Sequence, residues 1–260
     1  HQLIATPERS GGGAMSKGSR DRAVKARQIV AEQKAAERRR TVTLWTSVAV
    51  VLVLFVAGLI GYTVLSGQDE GKVTTPASAV DEGTAFATGA GPVTVDVYED
   101  FMCPSCGNFE ATTGPTLKQL ATDGKITLRF HPVAILDRFS NGTEYSTRSA
   151  AASAAAAEEG KFTEFHDVLY ANQPAENSDG LSDARMIELA ATVGLTSDAF
   201  KNAVNEGTYK AWAAQATETF LGRGHTGTPT IVVDGKTLTG ENNTVPSAEL
   251  ITQTVEKAAG

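Results

Sequence analysis

The rhythm of apolar and polar positions changes repeatedly along this chain. Thr41 to Gln68 holds no charged residue, and Leu44 to Leu65 is dominated by Val, Leu, Ile, Phe and Ala. As a helix, those twenty-two residues reach roughly 33 Å at ~1.5 Å per residue, enough to cross a hydrocarbon core of about 30 Å. A buried core helix is rarely so long and so uniformly apolar. The pattern therefore predicts one transmembrane anchor over 41–66. Ser66 to Thr88 then loses large apolar residues in favour of Gly, Ser, Thr, Ala, Pro and acid. It reads as a flexible linker over 67–90.

Beyond it the period falls to two. Val93, Val95 and Val97 alternate with polar residues, and so do Ile126, Leu128 and Phe130 after the Asp123-Gly124 turn. Between these two strands, Cys103 opens a helical stretch to about Leu120, broken near Gly114-Pro115. The unit is β-α-β, with its strands parallel. A helical block of about 80 residues follows, over about 143–222. Tyr145 to Glu159 carries a run of alanines, and Lys161 to Ala171 and Tyr209 to Leu221 show helical spacing. Ser182 and Thr196 stand where N-caps of two further helices would fall. The period then returns to two in Thr230–Val233 and Lys236–Thr239 around Asp234-Gly235, a type I′ hairpin signal. Pro246-Ser247 opens a last helix. The expectation is an α/β domain over 91–260.

Charge sharpens this layout. The 260 residues carry a net charge of −7, which argues against a nucleic-acid partner. Residues 1–66 hold ten Lys and Arg against four Asp and Glu, whereas 67–260 hold thirteen against twenty-six. Arg38, Arg39 and Arg40 abut the apolar span, and Asp69 and Glu70 follow it. The positive-inside rule then places a basic cytoplasmic arm at 1–40 and the 91–260 domain outside the cell membrane. The apolar run exceeds a signal-peptide core, and Ala77-Ser78-Ala79 lies far beyond it, so an uncleaved anchor is expected. Met15-Ser16-Lys17 reads as a natural start, which leaves 1–14 outside the fold argument.

Both cysteines fall in Phe101-Met102-Cys103-Pro104-Ser105-Cys106 at a strand-to-helix junction. At i and i+3 on a first helical turn, two sulfurs come within bonding distance. The helix N-terminus lowers the first thiol's pKa. Cys103 is the expected exposed nucleophile and Cys106 the more buried resolving thiol. Pro104 suits the first helical position. A structural disulfide over so short a loop would stabilise little. A zinc site would need two more ligands, and His131, His166 and His225 lack metal-like spacing. Two inert buried thiols would not explain the pairing or the proline. Gly227-Thr228-Pro229-Thr230 stands just before the third strand, where a proline is tolerated.

In combination these features resemble the DsbA-like branch of the thioredoxin superfamily, over about Gly91 to Gly260. The resemblance implies a thioredoxin fold with a helical insertion and thiol–disulfide exchange outside the cytoplasm, without metal or cofactor. It implies that Pro229 is cis and faces the cysteine pair, with Thr228 offering backbone hydrogen bonds to a substrate peptide. Its partners would be exported cysteine-containing proteins and a membrane quinone-linked redox protein.

Two departures qualify it. Where the well-studied periplasmic oxidases place a histidine between the cysteines, this chain has Ser105, which predicts a less extreme Cys103 pKa and a less oxidising potential. Where many relatives bury an acid six residues before the first cysteine, this chain has Val97. Asp96, Glu99 and Asp100 are the nearby acids, each equally readable as a solvated surface group, and His131 and His225 are further candidates for the surroundings of the site. The leading expectation is a dithiol oxidase. A reductase or isomerase of the same fold, and a non-catalytic anchored binding domain, are the alternatives.

Overall fold

The structure, a computed structural model, describes residues 72–260. The basic arm at 1–40 and the apolar span at 41–66 lie outside the described residues. Among those described, no helix is long and apolar enough to cross a membrane.

A five-stranded sheet carries the domain, in the order β1-β3-β2-β4-β5. Its strands are β1 (Phe86–Thr88), β2 (Val93–Glu99), β3 (Ile126–Pro132), β4 (Thr230–Val233) and β5 (Lys236–Leu238). β2 and β3 run parallel, with Val95 beside Leu128 and Val97 beside Phe130. β4 lies antiparallel on β2's other side, and β5 closes the hairpin. The hairpin turn holds Asp234 and Gly235 at φ of 44° and 78°, the positive values that a type I′ turn needs. The Asp234 carboxylate also accepts the Thr94 N–H at 2.8 Å.

The crossover between β2 and β3 is made by α1 (Pro104–Thr112) and α2 (Gly114–Thr122). They meet at Thr113, where Pro115 cannot continue the hydrogen-bond ladder. The insert contains α3 (Tyr145–Glu158), α4 (Phe162–Ala171), α5 (Asp183–Ala191), α6 (Asp198–Glu206) and α7 (Lys210–Gly222). The alanine run of α3 is buried almost throughout. Side chains this small let α4, α6 and α7 pack closely around it. The last helix, α8 (Ala248–Ala259), buries Ile251 and Val255 and packs against β2.

Two local expectations are corrected. The cap of α6 is Ser197, not Thr196; its hydroxyl accepts the Phe200 N–H at 3.0 Å. The span read as a linker over 67–90 contains β1, paired antiparallel with β3. Phe86 is buried against Phe162 and Trp212, with ring centroids 4.7 and 5.3 Å away. Trp212 donates its indole N–H to the Gly83 carbonyl at 2.6 Å, and Arg223 reaches the Asp81 carboxylate at 2.7 Å. One phenylalanine among glycines and threonines is too short a signal to register as a strand, yet it pins this segment to the insert.

Candidate active site

The site grows from the C-terminal end of β2. Asp100, Phe101 and Met102 turn the chain into α1, and Cys103 occupies the N-cap with extended backbone (φ −74°, ψ 116°). The Asp100 carbonyl accepts the Cys103 N–H at 2.9 Å, and the Cys103 carbonyl accepts the Gly107 N–H at 3.1 Å. Pro104 follows at the first helical position, where its missing N–H leaves no gap. Pro104 and Ser105 are exposed, and Cys106 points inward, fully buried. Both thiols are free.

Cys103 is less open than expected. It is only 6% exposed, because the turn before β4 folds over it. That turn contains the cis Thr228–Pro229 peptide, and the Cys103 thiol donates to the Thr228 carbonyl at 3.4 Å. Cys103, Pro104, Ser105, Ile135, Leu221 and Thr228 line a groove of about 690 Å³. Leu221 is about half exposed there.

The two thiols are electrostatically unlike. The Cys106 thiol donates to the Cys103 sulfur, and the Thr228 side chain and the Cys106 and Ser105 backbone N–H groups add to it. These outweigh burial and hold the Cys103 pKa down at about 6. Burial first, and then the neighbouring Cys103 sulfur, push the Cys106 thiol well above its ordinary value. One sulfur is set up as a thiolate and the other keeps its proton.

The three nearby acids are all buried, so none is a solvated surface group. Asp96 accepts two hydrogen bonds from Arg129, at 2.6 and 2.8 Å, and lies 2.7 Å from His131 Nε2. Burial would raise its pKa, but these partners lower it. His131 also stacks on Tyr98, and His225 packs against Tyr98 and Phe220. Glu99 meets His166 Nε2 at 3.2 Å. Beside it, Glu110 pairs with Lys118 at 3.3 Å, and Lys118 reaches Asp167 at 2.6 Å. In both clusters a neighbouring Lys or Arg supplies the positive charge that a metal ion would bring.

Asp100 plays a different part. Its Oδ1 accepts from the Met102 N–H and the Ser146 hydroxyl, at 2.9 and 2.7 Å. Its Oδ2 accepts from the Ile135 and Leu136 N–H groups, at 2.9 and 3.0 Å. One carboxylate thus ties the cysteine turn to the groove wall and to α3. Burial raises its pKa to about 6 despite those four donors. The position occupied by an acid in many relatives, Val97, is core. Sequence reasoning missed the contacts of Gln173, Tyr170 and Ser146 on this turn. The one local signal was Gly107, a glycine inside a helix.

A buried, asymmetric thiol pair on a helix N-terminus, facing a cis-proline turn, defines the class of protein dithiol–disulfide oxidoreductases. A family model described as Thioredoxin matches residues 83–253, and the chain belongs to that family. Among solved structures, the reduced DsbG disulfide bond oxidoreductase of Mycobacterium tuberculosis is 30% identical, with a TM-score of 0.60, covering 69% of this chain and 89% of that one. Oxidised DsbA from the same organism is also 30% identical, with a TM-score of 0.59, covering 68% and 93%. Among curated relatives, the serine/threonine-protein kinase PknE of Mycobacterium tuberculosis is 31% identical over 165 residues, 60% of this chain and 29% of that one. The chain spans less than a third of the length of that relative.

Proposed function

We propose that this chain is a membrane-tethered dithiol oxidase that gives disulfides to cysteine-containing exported proteins. The observation that carries the reading is the asymmetry of the pair: Cys103 lines the groove at the helix N-cap with its pKa drawn down to about 6, while Cys106 is fully buried and its thiol is pushed up. A stabilised thiolate makes the reduced form comfortable, so the Cys103–Cys106 disulfide tends to be passed on. A substrate thiolate attacks the Cys103 sulfur, and the Cys103–Cys106 bond breaks. A second substrate thiolate then attacks the substrate sulfur of the mixed disulfide, and Cys103 leaves as a thiolate. The substrate is oxidised by two electrons and the pair is reduced by two.

Pro104 and Ser105 shape the mouth, and Thr228-Pro229 forms the wall along which an extended peptide presents its cysteine. Arg38, Arg39 and Arg40, directly before the apolar span, support a cytoplasmic N-terminal arm and an outer domain. A membrane quinone-linked protein would return the pair to its disulfide.

The test is recovery of activity by reduced, unfolded ribonuclease incubated with the oxidised full chain. Recovery that disappears in Cys103→Ala supports the reading; no recovery with the oxidised wild type overturns it. A measured potential separates the reductase or isomerase alternative: a value near about −120 mV fits an oxidase and one near about −270 mV a reductase.

A further inference from the structure

We infer that Gln173 is a positioning residue for the thiol pair: its side-chain amide reaches from the helical insert and locks the Phe101–Cys103 turn against the start of α1. The inference rests on Cys103 being the reactive thiol.

Three observations carry it. The Gln173 Nε2 donates to two carbonyls of the turn, to Phe101 at 3.1 Å and to Cys103 at 2.8 Å. The second carbonyl is also the acceptor of the first bond of α1 from Gly107, so the amide clamps the N-cap itself. Gln173 is in turn held by α4, since its own N–H donates to the Tyr170 carbonyl at 3.2 Å. The Tyr170 hydroxyl grips the same turn at the Asp100 carbonyl, also at 3.2 Å.

Gly107 supplies the third observation. Glycine inside a helix is less favourable than alanine, and α1 gains nothing from it in backbone freedom. A Cβ at this position would stand 2.2 Å from the Gln173 Oε1. The space that glycine leaves empty is filled by the Gln173 amide. The helix gives up propensity so that the insert can touch the thiol-bearing turn.

The consequence for chemistry follows from what Cys103 needs. Its thiolate is stabilised in part by the Cys106 and Ser105 N–H groups of the first helical turn, and such bonds weaken steeply as their geometry opens. Fixing the carbonyls on either side of Met102 fixes where the sulfur lies relative to those donors. Loss of the clamp should raise the Cys103 pKa and make the pair less oxidising. A merely structural glutamine would change stability and leave both unchanged.

The experiment measures the pH dependence of Cys103 alkylation by iodoacetamide, and the redox equilibrium with glutathione, in the purified reduced full chain. In Gln173→Met, which keeps the length and loses the donors, the alkylation midpoint should rise by about one pH unit. The rate at pH 6 should fall roughly fivefold, and the equilibrium should shift toward the Cys103–Cys106 disulfide. An unchanged midpoint and equilibrium, with or without a lower melting temperature, overturns the inference. A wild-type midpoint at the ordinary thiol value would instead overturn the reading of Cys103 on which it rests.

A second series covers the case in which Gln173→Met folds poorly. Gly107→Ala should destabilise the wild type, because its methyl displaces the amide. In a Gln173→Ala background the same change should stabilise, because only helix propensity is left. A Gly107→Ala effect of the same sign and size in both backgrounds overturns the clamp.

Discussion

At the scale of single residues, partners brought from other elements set the protonation of buried His166. Burial alone would push its pKa down, but the charges of Glu99 and Glu110 and the hydrogen bond to Asp167 hold it up, at about 10. Lys118 and Tyr170 complete its surroundings from α2 and α4. Since the folded pKa lies above the unfolded value, this ion pair stabilises fully below about pH 6.5. The contribution is lost as pH rises through about 10. Urea unfolding of the disulfide form, whose thiols cannot titrate, should show stability falling between pH 7 and 10 by up to about 1.4 kcal/mol per unit. His166→Asn should flatten that slope. Parallel slopes for the two proteins would show that His166 is not charged in the fold. Cys103, Cys106, Pro104 and Ser105 are neighbours in sequence, so their spacing predicts a shared helical turn. Asp100 and Ser146 are 46 residues apart, Glu99 and His166 67, and Phe101 and Gln173 72, and no spacing rule links such pairs.

At the scale of elements, the periodicity predicted the β-α-β unit, the insert and the hairpin, because each keeps one period for at least a full element. β1 failed that condition. Its three residues contain one large apolar side chain, and its partners Phe130, Phe162 and Trp212 lie far along the chain. Only the assembled sheet and insert make a strand of it. Phe86 joins the sheet edge to two aromatic residues of the insert. Phe86→Ala should therefore cost about 3 kcal/mol or more in urea unfolding, as for other fully buried phenylalanines. A loss below about 1 kcal/mol would return this segment to the role of a spacer.

At the scale of the whole molecule, the charge division and the thiol chemistry make a joint demand. A pair poised to donate its disulfide works only where it is regenerated in the oxidised form, and reducing compartments prevent that. On the proposed anchor, the side of the membrane that holds residues 91–260 decides whether oxidation is possible. The arginines at 38–40 before the apolar span, and the acids at 69–70 after it, favour an outer domain. A membrane-impermeant maleimide applied to intact cells expressing the full chain, after mild reduction, tests this. Cys103, low in pKa and lining the groove, should be labelled in intact cells, and Cys103→Ser should abolish most of the signal because Cys106 is fully buried. Purified wild-type protein labelled under the same conditions controls for access to the sulfur. If the purified chain reacts but intact cells react only after permeabilisation, the domain faces the cytoplasm. Held reduced there, the pair would have no disulfide to donate, and the oxidase reading would be overturned.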